Sequence, residues 1–145
     1  MKKINKIGVN ESSWEELYIL TNHWKSDMEF YQDDLQFLHH LVDKYIIWIT
    51  KDENLKLVED IKNHLYEIKT NSIQLLEKVN SHHLDIGHVI DGTSNIKESY
   101  IQKEHQALEK SISDFVKDFR DNRKKVFRIT EYVIDSEELP NVLKS

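Results

Sequence analysis

The chain has no cysteine, one proline and three glycines in 145 residues. Without cysteine there is no disulfide, zinc–thiolate site, iron–sulfur cluster or thiol nucleophile. So little proline and glycine leaves few turns, whereas an all-β fold needs a turn signal every 8–12 residues or so. No apolar run approaches the roughly 20 residues of a membrane-spanning helix. An excess of positive charge is missing too. The formal charge is −6, with acids and bases interspersed, which argues against a general affinity for nucleic acid or anionic membrane. The segment Met1-Lys2-Lys3-Ile4-Asn5-Lys6 lacks the apolar core of a signal peptide. A soluble cytoplasmic protein with no nucleic-acid or membrane partner is the expectation.

What is present is helical periodicity. Trp14, Leu17, Thr21, Trp24, Met28, Tyr31, Leu35, Leu38, Val42, Tyr45 and Ile49 recur at spacings of three and four. Such a seam belongs to a long helix packed lengthwise on others. Ser12 with Glu15, and Ser13 with Glu16, have capping-box spacing at its start, as do Thr50 and Glu53 where a second helix would begin. The second seam runs Val58, Ile61, Leu65, Ile68, Ser72, Leu75, Val79, His82, Ile86, Val89. It crosses the polar run Lys69-Thr70-Asn71-Ser72 without Gly or Pro, so the helix is read as continuous. Gly92 then supplies a left-handed C′ residue. Asn95 and Glu98 suggest a third cap. The third seam runs Ile101, His105, Leu108, Ile112, Phe115, Phe119, Asn122, Val126, Ile129, Val133, and Pro140 marks the stop.

The expected fold is therefore all-α: an antiparallel up-down-up bundle of three long helices, about 13–50, 52–91 and 95–136. It forms a single domain over 1–145, with a polar tail at 1–12 and a C-terminal tail at 137–145. Short connections force neighbouring helices antiparallel.

Two features go beyond packing. If the second hairpin turns at 93–94, His82 and His105 lie level. If the first turns at 51–52, Thr21 lies level with His82, beside His23 and Trp24, and His83 and Glu109 flank the layer. A buried His pair of this kind can set helix register. With Glu109 it could instead ligate a metal ion, or the two imidazoles could hold haem. No cofactor is the leading expectation, and metal or haem the alternative.

The segment His105-Gln106-Ala107-Leu108-Glu109 resembles the His-x-x-x-Glu element of hemerythrin-like proteins. That resemblance implies a four-helix bundle holding a di-iron centre. It covers five residues. The family pattern also calls for a second such element, and His64 is followed at the fourth position by Ile68 instead. A ferritin-like site needs Glu-x-x-His pairs aimed inward. The nearest mimic, Asp85-x-x-His88, points away from the seam.

The second feature is the first helix. Leu20, Phe30, Phe37, Leu41 and Trp48 lie outside its seam, widening its apolar face beyond what a surface helix needs. Either these residues form a homodimer or client interface, or the helix is central and its neighbours wrap it. On the third helix Lys117, Arg120, Arg123, Lys124, Lys125 and Arg128 form a basic stretch. It is expected to pair with Glu59, Asp60 and Glu67 at the surface. There is no phosphate loop or nucleophile elbow. The expectation is a non-enzymatic interaction or scaffold module that works through a helix face, by self-association or with another protein.

Overall fold

The computed structural model describes residues 13–137. They form three helices: α1 (Trp14–Ile46), α2 (Asp52–Asp91) and α3 (Glu98–Ser136). The helices pack against one another as an antiparallel all-α bundle. The tail at 1–12 lies outside the described residues, as does the C-terminal one beyond Glu137.

The helix ends follow local chemistry. Ser13 caps α1, its Oγ accepting from Glu16 N at 3.1 Å. α1 stops at Ile46, short of Thr50. The run Ile46-Ile47-Trp48-Ile49 is mostly β-branched and disfavours helix, and its bonds tighten to Trp48 N→Tyr45 O and Ile49 N→Ile46 O. α2 is continuous through 69–72, as expected. It ends in a Schellman motif: Thr93 N donates to His88 O at 2.9 Å and Gly92 N to Val89 O at 3.3 Å, with Gly92 at φ 81°. α3 begins at Glu98 and not at 95, because Lys97 O accepts the first helical bonds. The Asn95 cap is not used.

The packing divides the chain into two compact units. The first contains Met1–Phe30 and Ser72–Asp114. Its core includes Trp14, Leu17, Ile86 and Ile101, with Val89 packed against them. Met28, Leu75, Val79 and Leu108 are buried there too. The second contains Tyr31–Asn71 and Phe115–Ser145. Tyr31 packs at tilted angles on Phe115 and Phe119, with centroids 5.6 and 4.8 Å away. Leu35, Leu38, Val42, Ile61, Leu65, Val126 and Val133 complete that interior.

In the second unit Glu137, just beyond the end of α3, takes the place of the capping box expected from Thr50 and Glu53. Glu137 accepts from Thr50 N, Thr50 Oγ1, Lys51 N and Asn54 Nδ2 at 2.7–3.2 Å. Its carboxylate thus satisfies N–H groups that α2 cannot bond internally. Asn54 is buried, and also donates to Ser136 Oγ.

Candidate functional site

The first unit contains a layer of imidazoles and aromatic rings. His82 and His105 are buried, 0% and 4% exposed. Their facing nitrogens, His82 Nε2 and His105 Nδ1, lie 2.9 Å apart. This is the level pairing expected from the turn positions. Trp24 stacks on His105 at 4.8 Å and 19°. One ring of the pair donates and the other accepts, which leaves His82 Nδ1 and His105 Nε2 buried without hydrogen-bond partners.

Thr21 is buried as expected but bonds His83, not His82. Its Oγ1 lies 2.7 Å from His83 Nδ1 and 3.1 Å from the Tyr18 carbonyl. A hydroxyl has one proton. With that proton given to the carbonyl, His83 must donate from Nδ1, so its Nε2 keeps the lone pair. Tyr18 stacks on the His83 ring at 4.0 Å and 24°.

The electrostatics keep this layer neutral. Burial lowers the His82 pKa from 6.5 to about 4, and the neighbouring His105 and His83 push the same way. Burial also lowers His105, with Glu109 acting in the opposite direction. His83 is lowered by burial and then by Lys25. Charging an imidazole here costs desolvation that outweighs the opposing pull of Glu109 on His105 and of the Tyr18 carbonyl on His83.

Glu109 is exposed and stands outside the pair. Among the described residues no three His, Asp or Glu side chains come together as metal ligands. His39, half-buried, sits edge-on to Tyr66. His64 lines a small cleft of about 70 Å³ with Asn122 and Lys125.

The residues named for an interface are placed as follows. In the first unit Leu20 is 36% exposed and Phe30 62%. In the second, Phe37 is 52% and Trp48 39% exposed, while Leu41 is half-buried. Trp48 lies beyond the end of α1, in the turn.

The basic stretch of α3 does not pair with α2 as expected. Arg123 Nε instead donates to Asp34 Oδ2 of α1 at 3.1 Å, and its guanidinium lies over Phe127 at 4.9 Å. Lys62 of α2 pairs with Asp43 of α1 at 2.7 Å. Sequence spacing gives the level of a residue but not which neighbouring helix its long side chain turns towards. Among the described residues no helix is long and apolar enough to cross a membrane. Comparison of the chain with family models, with curated proteins and with solved structures gives no match.

Proposed function

We propose that this chain is a non-enzymatic interaction module that self-associates through exposed apolar side chains of α1. The observation that carries the reading is the exposure of Phe37 and Phe30, more than half of each side chain lying in solvent. Burying a Phe fully is worth roughly 1.5–3 kcal/mol, so each forgoes on the order of 1 kcal/mol until a partner covers it. Aromatic residues are enriched at interfaces for this reason. The inward face of α1 supports the same reading. It is already filled by Trp14, Leu17, Met28, Leu35, Leu38 and Val42, while Phe30 and Phe37 keep most of their surface outside it.

The imidazole layer supports a structural role. It is buried and neutral, and its one shared proton is taken up in a hydrogen bond. The Thr21 hydroxyl against it is buried and held by the Tyr18 carbonyl and His83. The test is Phe30→Glu with Phe37→Glu, followed by sedimentation and circular dichroism. Helicity should stay intact while the mass falls to that of one chain. An unchanged mass would count against this surface.

A metal or haem site on His82 and His105 is a second reading. It rests on the two ring nitrogens without partners. It must open the 2.9 Å bond before the facing nitrogens can coordinate. Elemental analysis and a visible spectrum of protein purified without chelator test it.

A further inference from the structure

α1 and α2 leave a groove between them in the first unit, about 760 Å³ in volume. That lies within the range of small-molecule sites. Its residues come from two short stretches: Glu15, Tyr18, Ile19 and Lys25 on α1, and Asn80 to Asp91 on α2.

Gly87 lets the floor of the groove lie close to α2. A Cβ there would stand 3.3 Å from Tyr18 Cε2. With no side chain at 87, the Tyr18 ring lies against the α2 backbone and stacks on His83. Ile19, Leu84 and Ile90 stand around it with 59%, 60% and 38% of their surface exposed. The middle of the groove is therefore apolar and wet.

Its two ends differ in charge. At one end Asp91 is already occupied, its carboxylate accepting from Thr93 N and Thr93 Oγ1. Glu15 at that end is also engaged. At the other end stands Lys25, exposed and in no ion pair among the described residues. It lies close enough to His83 to disfavour a charge on that ring. Asn80 adds an amide at the same end. The positive charge of the lining thus stands at one end of an apolar trough, and its carboxylates stand at the other. From Glu15 to Lys25 is ten residues, about 15 Å of helix.

We infer that the groove binds a single-chain amphipathic carboxylate. The anionic head meets Lys25 and Asn80, and the apolar body lies over Tyr18 between Ile19, Leu84 and Ile90. A carboxylate accepts from the ammonium and the amide. The apolar body covers side chains that the bundle leaves in water. None of these residues belongs to the α1 surface proposed for self-association, so the two readings can fail separately.

The test is a nuclear magnetic resonance titration of the full chain with decanoate. Decyltrimethylammonium serves as the opposite-charge control. Decanoate should bind saturably at one per chain and shift the signals of Tyr18, Leu84, Gly87 and the His83 ring. Lys25→Glu and Leu84→Glu should each weaken binding at least fivefold. Both replace exposed side chains, so helicity should not change, and Lys78→Glu on the same helix should bind as the parent does. Equal binding of decyltrimethylammonium, undiminished binding by Lys25→Glu, or no saturable shift at these residues would each overturn the inference.

Discussion

Acid should weaken this protein through His82 before it weakens the surface carboxylates. In the folded chain His82 takes a proton only near pH 4, against 6.5 for an ordinary imidazole. Between those values the unfolded chain binds a proton that the folded chain refuses. Stability is therefore complete above pH 6.5 and falls as pH drops towards 4. At 1.36 kcal/mol per pH unit the interval is worth about 3 kcal/mol. His105, also lowered, adds in the same direction.

The perturbation is His82→Leu, alone and with His105→Leu, and His105→Leu alone completes the set. The single change leaves His105 Nδ1 buried without its partner, which costs about 1–3 kcal/mol. Leu packing in the seam offsets part of that, so a net loss of about 1 kcal/mol is expected at pH 7.5. The double change removes both polar groups and should return stability close to that of the parent. At pH 4.5 the double variant should be the more stable protein by about 2 kcal/mol, because its acid-sensitive pair is gone. Urea unfolding of the parent, both single variants and the double variant at the two pH values reads this as a double-mutant cycle. If the parent and the double variant lose the same stability between pH 7.5 and 4.5, the reasoning is wrong.

Other consequences are simpler to measure. Glu137→Ala removes the acceptor that Asn54, Thr50 and Lys51 share, and should lower the thermal midpoint at pH 7. Those bonds, with Asn54 first among them, hold the Glu137 pKa down to about 2 from 4.5. Its contribution is therefore complete above pH 4.5 and lost as pH falls towards 2, and this acid sensitivity should vanish in the variant. Gly92→Ala should cost about 1 kcal/mol in urea unfolding, since φ is 81° and no atom lies near enough to reward a methyl group. Ser13→Ala should cost about 1 kcal/mol, with fraying at the start of α1 visible in amide exchange, because Glu16 N loses its acceptor.

The seams were legible because burial at three- and four-residue spacing leaves a direct mark on sequence. Met28, Leu38, Leu65, Val79 and Phe115 are sealed where the pattern puts them. The His82–His105 pair was legible for a related reason: a tight turn marked by Gly92 fixes the level of two antiparallel helices. The same arithmetic placed Thr21 against His82, whereas rotation about the helix axis brings it to His83. Other features had no local signature. Thr50 and Glu53 carry a capping box, yet a carboxylate 87 residues away takes the role. Asn54 extends the α2 seam by one turn and is buried, but an Asn there reads as a helix-start residue. Arg123 had acids in reach on two helices, and its choice of Asp34 depends on three-dimensional direction. The close seat of Tyr18 against α2 uses an absent side chain at Gly87 facing a ring on another helix, which no periodicity records.

The central claim is that α1 carries a surface for a second copy of the chain. Sedimentation of the unmodified protein across a hundredfold range of concentration tests it most directly. The weight-average mass should climb from 17.4 kDa towards at least twice that value as concentration rises. A mass that stays at 17.4 kDa through the whole range would contradict the claim.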